Sequence, residues 1–304
     1  METSFSKPGR FWRGNLHTHS NYSDGLRSPE EVCRVYAAAG YDFLALTDHF
    51  IEEYGWPLLD TSPYRTTSFT TLIGAELHTA HDRMELGSPW HILAVGLPLD
   101  FAPAHRDETG PELAARARAA GAFVVAAHPQ WYAMTERDIQ LLGPIHALEI
   151  YNASAADDND AADAGYLLDL QLARGARLFA CATDDAHFIL NTRDRLAGWV
   201  MVRGEECAPD QMLAALKRGD FYSSSGPTIV DLVVEPGERL WVRCSPANRV
   251  FLLGGPAEYA SVGKQGMTEA EFDLRAWKRD YARVLIRDEA GRKAWTNPIW
   301  FDRT

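Results

Sequence analysis

Short apolar runs alternate with helix-like segments from residue 11 to about residue 220 of the chain. The runs are rich in β-branched and aromatic residues, which is typical of buried strands. They lie at residues 15–16, 43–47, 72–77, 92–95, 123–127, 147–151, 178–183 and 199–202. Helix-like segments that stop at a glycine lie at residues 29–39, 111–120, 162–174 and 209–218. This alternation predicts a parallel sheet with helical crossovers, and its many short units favour a small closed α/β barrel.

The pattern changes after the segment Phe-Tyr-Ser-Ser-Ser-Gly-Pro at residues 221–227. No helix-like segment follows, and residues 288–291 (Asp-Glu-Ala-Gly) predict a hairpin turn. Short strands are predicted at residues 228–235, 240–244, 249–253, 271–277, 282–286 and 294–301. We therefore expect two domains, a barrel at 11–225 and a small antiparallel β-sandwich at 228–304.

Composition narrows the class of protein. Apolar residues make up 46% of the chain and charged residues 24%, as in ordinary folded proteins. The 42 acidic residues outnumber the 30 Lys and Arg, which gives a net charge of -12 and argues against long nucleic acid or an anionic membrane as partner. No signal peptide or membrane-length apolar run is visible, and the four cysteines are widely scattered. These features predict a cytoplasmic protein with reduced cysteines; the oligomeric state stays open.

Polar residues with metal-binding side chains follow the first two predicted strands. His17 and His19 are two positions apart in an extended segment, so their side chains point the same way and suit a divalent transition metal. Asp48 and His49 end the second strand, where Asp48 either orients an imidazole or caps the next segment. Taken alone, each of these pairs has an ordinary structural explanation.

The same pattern recurs at later strands. Glu76 ends the third strand, and the spacing does not choose among His78, His81 and His91 after it. His128 precedes a proline after the fifth strand, and Glu149 lies within an apolar strand, where burial requires a partner. Asp184, Asp185 and His187 end the seventh strand. Such a recurrence at the ends of successive strands indicates a metal centre at one face of the barrel.

The ordered motifs resemble those of the PHP family, the polymerase and histidinol phosphatase superfamily of metal-dependent phosphoesterases. The motifs are His17-Thr18-His19, Ser23-Asp24-Gly25, Thr47-Asp48-His49, Gly74-Ala75-Glu76, His91 to Gly96, His128-Pro129 and Asp185-Ala186-His187. The resemblance covers residues 11 to about 225, and the segment 221–227 is similar to the linker of a branch that carries a C-terminal β domain. It implies a distorted (β/α)7 TIM-like barrel with a multinuclear metal site.

The resemblance also implies roles for individual residues. It selects His91 over His78 and His81, and it implies two to three divalent cations (Mn²⁺, Fe²⁺ or Zn²⁺). The first cation would bind His17, His19, Glu76 and Asp185; the second Glu76, His91 and His128; the third Asp24, His49 and His187. Among these, His17, His19, Glu76, Asp185 and His187 are the expected catalytic residues. Asp48, Glu149 and Asp184 are expected to support the ligands, and Arg193 and Arg195 to contact substrate.

The implied reaction is hydrolysis of a small phosphate monoester or diester by a hydroxide that bridges two metals. The expected partner is a small phosphorylated molecule, with nucleotides included. Two alternatives remain: hydrolysis of another ester, such as a carbamate or carboxylate ester, and a degenerate metal-binding module with a regulatory role.

Overall fold

The computed structural model describes residues 1–190, 192–255 and 257–301. Within these ranges the chain forms a large mixed sheet and a small number of helices. The first strands are β1 (Arg10–Asn15), β2 (Phe43–Leu46), β3 (His49–Phe50), β4 (Thr70–Leu77), β5 (Ile92–Val95), β6 (Phe123–Ala126), β7 (Ala147–Asn152), β8 (Phe179–Thr183), β9 (Trp199–Gly204) and β10 (Phe221–Ser224). The later strands are β11 (Ile229–Glu235), β12 (Arg239–Leu253), β13 (Tyr259–Asp273), β14 (Tyr281–Arg287), β15 (Lys293–Thr296) and β16 (Ile299–Trp300). The α-helices are α1 (Pro29–Ala38), α2 (Gly110–Ala119), α3 (Glu136–Leu141), α4 (Ala153–Asp158), α5 (Gly165–Ala173) and α6 (Pro209–Arg218). None of the helices in these ranges has both the length and the apolar character of a membrane span.

The sheet is mixed, so the expectation of a parallel sheet is only partly confirmed. Strands β1, β2 and β4 run parallel, as do β6, β7 and β8. Strand β5 is antiparallel to both β4 and β6. The segment between β4 and β5 contains no helix, and without a helical crossover the chain returns in the opposite direction. Strand β9 is antiparallel to both β1 and β10.

A closed barrel is not confirmed. Hydrogen-bonded neighbours follow the order β11-β12-β14-β15-β10-β9-β1-β2-β4-β5-β6-β7-β8, and this path stays open at β8 in the described ranges. Side chains bridge the gap between β8 and β10 instead. Ser223 Oγ donates to Ala180 O (2.7 Å) and accepts from Ala182 N (3.0 Å). Asn297 accepts from Ala180 N (2.9 Å) and donates to Phe221 O (3.0 Å).

Both faces of strands β4 to β8 are buried, which explains why apolar residues predominate in these strands. One face, with Ala94 and Leu148, packs against α2 and α5 through residues such as Leu113 and Leu172. The opposite face packs against α6, whose Met212, Ala215 and Leu216 lie on one side of that helix. The two apolar layers hold the strands in place, so the polar residues at their ends are fixed by a rigid scaffold.

The strands after residue 228 are antiparallel, as expected, but a separate sandwich is not confirmed because β15 pairs with β10 in the main sheet. Strand β12 runs without interruption where we expected two strands. Its pairing with β13 shifts register between Arg243 and Arg249, so the polar residues between the two expected strands form irregularities within one strand. The turn at residues 288–291 joins β14 to β15. The boundary at 225–228 falls between β10 and β11, and the division into two domains stays a prediction.

Candidate metal centre

The nine residues that we assigned as metal ligands lie together at one edge of the sheet. Five follow or end strands that point toward this edge: His17, His19 and His128 after β1 and β6, and Asp185 and His187 after β8. His91 precedes its strand instead. Because β5 runs antiparallel, its start lies beside the end of β4, and the backbone pairing of Leu77 with Ile92 brings His91 to Glu76. The antiparallel direction of β5 therefore explains why this histidine comes before an apolar run.

Glu76 is the centre of the cluster and is fully buried. Its Oε1 lies 2.7 Å from His91 Nδ1 and 3.0 Å from His128 Nε2. Its Oε2 lies 2.8 Å from His49 Nδ1 and 3.3 Å from His17 Nε2. A carboxylate without compensating partners would be costly at this depth, and here imidazoles surround both oxygens. One carboxylate thus links all parts of the cluster.

The first of three groups of candidate ligands is fully buried and consists of His17, His19, Glu76 and Asp185. His17 Nε2 lies 3.2 Å from Asp185 Oδ1, and His19 Nε2 lies 2.9 Å from the same oxygen. His17 donates its Nδ1–H to Glu149 (2.7 Å), which directs Nε2 into the cluster. Neither His17 Nε2 nor Glu76 Oε2 makes a hydrogen bond, although both are buried. Buried polar atoms without partners are rare, and this pair fits a divalent cation that binds both.

The second group of candidate ligands surrounds Glu76 on its other side. It contains His49, Glu76, His78 and His91. His128 also faces Glu76 Oε1 and lies 3.9 Å from Asp185 Oδ2. His78, which the resemblance left aside, therefore lies within the cluster.

The third group is the most exposed, and it consists of His19, Asp24, His49 and His187. Asp24 Oδ2 lies 3.3 Å from His49 Nε2 and 3.4 Å from His187 Nε2. His187 donates its Nδ1–H to the carbonyl of Asp185 (2.8 Å), so that Nε2 faces Asp24. The Asp24 side chain is 37% exposed, which places this group at the mouth of the site.

The three supporting acids make different contacts. Glu149 orients the cluster: besides His17 it accepts from the backbone N–H of His128 (2.6 Å) and from Asn152 (3.0 Å). Asp48 makes no hydrogen bond with an imidazole among the described residues. It accepts from Ser20 and Ser23 instead, and so it orders the loop that carries Asp24.

Asp184 anchors a different loop. Its carboxylate accepts backbone N–H groups of Leu196, Ala197 and Gly198 (2.7, 2.8 and 2.7 Å) and the hydroxyl of Tyr36 (2.7 Å). These bonds fix the segment after His187, which is an indirect support of the cluster.

Two of the candidate ligands have backbone conformations that non-glycine residues seldom adopt. His128 has φ 25° and Asp185 has φ 58°. Conformations of this kind cost about 1–3 kcal/mol each and persist where the surroundings impose them. The N–H of His128 donates to Glu149, and that of Asp185 donates to the carbonyl of His17 (2.9 Å). The folded state therefore tolerates this backbone strain, and the strained conformations orient these two side chains toward the cluster.

Buried charges shift the pKa values throughout the cluster. Burial, together with the charges of His187 and His49, lowers the pKa of His19 to about 4. Burial also opposes the charged form of His49, but Glu76 and Asp24 outweigh it and raise the pKa to about 10. Burial would raise the pKa of Asp24, but hydrogen bonds from His187 and His49 hold it far below its usual range. A cation that binds His49 must displace a proton from that ring, so its affinity should increase with pH.

The predicted substrate-binding arginines, Arg193 and Arg195, do not line the cavity that opens beside the cluster. Arg195 pairs with Asp194 (3.1 Å), and the backbone N–H of Arg193 donates to Asp157 (2.8 Å). The cavity measures about 790 Å³ and opens on Asp24, His49 and His91. Arg106 lines it, with Tyr54 and Trp56.

Sequence reasoning also missed two supporting residues. Asn152 donates to both Glu149 and Asp185 (3.0 and 3.2 Å), and the ring of Tyr132 stacks on His91 with centroids 4.4 Å apart. For His78 a signal was present, since Glu76 and His78 are two positions apart at a strand end and therefore face the same side.

Taken together, the fold and the cluster define a mixed α/β protein with a His, Asp and Glu centre able to bind divalent metal ions. No family profile matches the chain, and no curated protein is similar to it in sequence. Among solved structures, the chain is similar to a two-domain protein from Bacteroides vulgatus that contains a predicted PHP-like metal-dependent phosphoesterase. The identity is 14%, the TM-score is 0.54, and the alignment covers 98% of this chain and 99% of that protein. This likeness shows a shared fold along nearly the whole chain.

Two further structures align over 57% of this chain and 87% of their own chains. One is a candidate metal-dependent phosphoesterase from Bifidobacterium adolescentis, with 14% identity and a TM-score of 0.41. The other is an amidohydrolase from Chromobacterium violaceum with bound sulfate and no metal, with 17% identity and a TM-score of 0.42.

Proposed function

We propose that the chain is a metal-dependent hydrolase of the PHP type that acts on a small phosphate ester. The observation that carries the proposal is the pair of buried atoms without hydrogen bonds, His17 Nε2 and Glu76 Oε2, which lie 3.3 Å apart. A structural histidine–glutamate pair would share a proton in a hydrogen bond. A pair that meets without one is suited to a shared cation.

The chain's own residues would hold two to three cations at Glu76 and around it. The proposed ligands are His17, His19, Glu76 and Asp185 for the first, Glu76, His91 and His128 for the second, and Asp24, His49 and His187 for the third. Imidazole and carboxylate donors of this kind suit Mn²⁺, Fe²⁺ or Zn²⁺. The proposal also includes a barrel-like arrangement of β1 to β10, with side chains of Ser223 and Asn297 at the open seam.

When bound, such cations make water nucleophilic at neutral pH and offset negative charge on phosphoryl oxygens. The protein supplies geometry for this chemistry. Glu149 fixes the ring of His17, and the Asp185 carbonyl fixes the ring of His187, so that each presents Nε2 to the cluster. Because strands and buried carboxylates hold these rings, little reorganisation is needed when substrate binds.

The cavity beside the cluster is the proposed substrate site. Its volume suits a nucleotide or a molecule of similar size, and long polyanions would meet the acidic surface of the protein. Within the part of the chain that the structure describes, Arg106 is the arginine that lines the cavity, so we assign the contact with the substrate's negative charge to Arg106.

One observation favours a second candidate function. Glu52 and Glu53 also line the cavity and would repel a strongly anionic substrate. A neutral ester, such as a carbamate or carboxylate ester, would avoid this repulsion and could react at the same centre.

The test uses the purified full chain, metal analysis, and three nitrophenyl substrates: a phosphate monoester, a phosphate diester and a carboxylate ester. We expect bound transition metal and turnover of a phosphate ester. His17→Ala should remove about one cation and reduce turnover at least ~1000-fold, since it takes away a ligand. His105→Ala, at an exposed loop residue, is the matched control.

Two outcomes would contradict the proposal. Turnover of the carboxylate ester alone would favour the second candidate. A wild-type protein that neither retains nor binds transition metal would refute the metal centre itself.

A further inference from the structure

His78 makes two specific contacts at the edge of the metal centre. It follows Leu77, the last residue of β4, and its ring packs between His49 and His91. Its Nδ1 lies 3.0 Å from the carbonyl oxygen of Trp90, and its Nε2 lies 2.8 Å from His49 Nδ1. Both ring nitrogens are therefore engaged.

The chemistry of these groups fixes where the protons lie. A carbonyl oxygen only accepts, so His78 Nδ1 carries the hydrogen and donates it to Trp90. His78 Nε2 then accepts the Nδ1–H of His49. His49 Nε2 is left as the atom that faces Asp24 Oδ2, 3.3 Å away.

The surroundings keep this arrangement rigid. The Trp90 side chain is buried, and its indole N–H donates to Asp82 (2.7 Å), so the accepting carbonyl belongs to a well-anchored residue. Glu76 Oε2 is also 2.8 Å from His49 Nδ1, yet it makes no hydrogen bond. It therefore stays available to cations, while His78 accepts the hydrogen bond.

We propose that His78 is a positioning residue that holds His49 in the tautomer able to bind the third cation through Nε2. The inference rests on the proposed metal centre and adds to it a histidine outside the predicted ligand set. We call the two hydrogen bonds that connect the Trp90 carbonyl, His78 and His49 the relay. A direct bond from His78 to a cation is the competing role, and it would require Nε2 to give up its hydrogen bond with His49.

The two roles differ in which side chains can replace His78. A glutamine oxygen can accept the His49 N–H but is a much poorer ligand than imidazole for Zn²⁺. Leucine can do neither. The 304-residue chain is stripped of metal with a chelator and titrated with Zn²⁺ by calorimetry, and the number of bound ions is counted by native mass spectrometry.

We expect His78→Leu to weaken the weakest Zn²⁺ site about 10–100-fold, which is typical for loss of a group that orients a ligand. The tighter sites should be unchanged. His78→Gln should bind Zn²⁺ within about threefold of wild type, because it restores the acceptor. His81→Leu is the matched control, since His81 lines the same cavity on the same loop.

A His187→Ala background identifies the site involved. This variant lacks a ligand of the third cation, so adding His78→Leu should have no further effect on the remaining Zn²⁺ ions. If His78→Leu does not fold, His78→Asn serves, because its shorter amide can still donate to the Trp90 carbonyl but removes the His78 Nε2 acceptor from His49.

Several results would overturn the inference. Wild-type affinity in His78→Leu would show that the relay has no role. Equal loss in His78→Gln and His78→Leu, with one ion fewer bound, would make His78 a ligand. A wild-type chain that binds no Zn²⁺ would overturn the metal centre together with the relay.

Discussion

Replacing Glu149 by glutamine tests how far one buried carboxylate organises the metal centre. Each oxygen of Glu149 accepts two hydrogen bonds: Oε1 from His17 and Thr183 (both 2.7 Å), and Oε2 from His128 N–H and Asn152 (2.6 and 3.0 Å). A carboxamide keeps the shape but has one accepting oxygen. In either orientation, its NH₂ group faces two donors that then lose their acceptor.

The size of the effect follows from these contacts. Two buried donors without an acceptor cost about 1–3 kcal/mol each, and partial relaxation of the side chains brings the expected loss of unfolding free energy to about 2–4 kcal/mol. Loss of the negative charge also makes the His17 ring a weaker donor to a cation. Cation affinity should fall about 10–100-fold, which corresponds to about 1.4–2.8 kcal/mol.

Two measurements separate these effects. Urea unfolding of the metal-free chain gives the stability, and Zn²⁺ calorimetry gives the affinity. Glu108→Gln is the control, because Glu108 is also buried and bonded to Arg116 (2.7 Å) but lies outside the cluster. It should lose stability and keep its Zn²⁺ affinity. If Glu149→Gln bound Zn²⁺ as tightly as wild type, Glu149 would not orient His17 in the way described.

Two further predictions concern charge. Burial and the charges of Arg118 and Lys217 lower the pKa of His146 to about 4, from an ordinary value of 6.5. Between these values the unfolded chain binds a proton that the folded chain does not, so stability is full above pH 6.5 and falls as the pH drops toward 4. Because His146 is partly exposed, we expect the pH-dependent part of the unfolding free energy that comes from His146 to be about 1–2 kcal/mol. The variant His146→Asn can still accept the Val124 N–H. In urea unfolding it should therefore lose less stability than wild type between pH 7 and pH 4. Arg106→Gln should raise KM for the phosphate monoester about tenfold and leave KM for the neutral ester unchanged, as for loss of one charge-assisted hydrogen bond.

The controls for these two predictions are variants of similar residues. For the first prediction the control variant is His105→Asn, at an exposed loop residue. Arg195→Gln should leave KM unchanged, because Arg195 pairs with Asp194 outside the cavity. A larger rise in KM for Arg195→Gln than for Arg106→Gln would contradict the assignment to Arg106 and would support Arg195, which the sequence analysis predicted, as the residue that contacts the substrate.

Local patterns of the sequence predicted most of the strands, but the strand expected at residues 271–277 is wrong in its bounds, since β13 spans Tyr259–Asp273. Strand β5 and helix α6 begin and end where the apolar run and the Pro and Gly signals put them. Strand direction was harder, because an apolar run reads the same in both directions and only the missing helix before β5 marks the reversal. The helices α3 and α4 were missed because six residues give too little periodicity to recognise.

The cluster was predictable for a related reason. Polar residues at strand ends converge whatever the length of the loops between them, so Glu76 and Asp185 could be grouped although they are far apart in the sequence. Contacts made by loop residues could not be grouped in this way. The position of Arg106 in the cavity and the hydrogen bond between His78 and His49 depend on how the loops pack against each other. The pattern of apolar and polar residues along the sequence does not predict this loop packing.

The seam between β8 and β10 gives the C-terminal strands a part in the metal centre. Asn297, from the segment after β15, satisfies backbone groups of both Ala180 and Phe221, and β15 covers the outer edge of β10. A shortened chain ending near residue 225 would therefore expose β10 as an unpaired edge prone to aggregation. It would also loosen β8, the strand that leads into Asp185 and His187. The last quarter of the sequence thus acts as a clamp on the first three quarters, and the geometry of the centre depends on residues more than 100 positions away from its ligands.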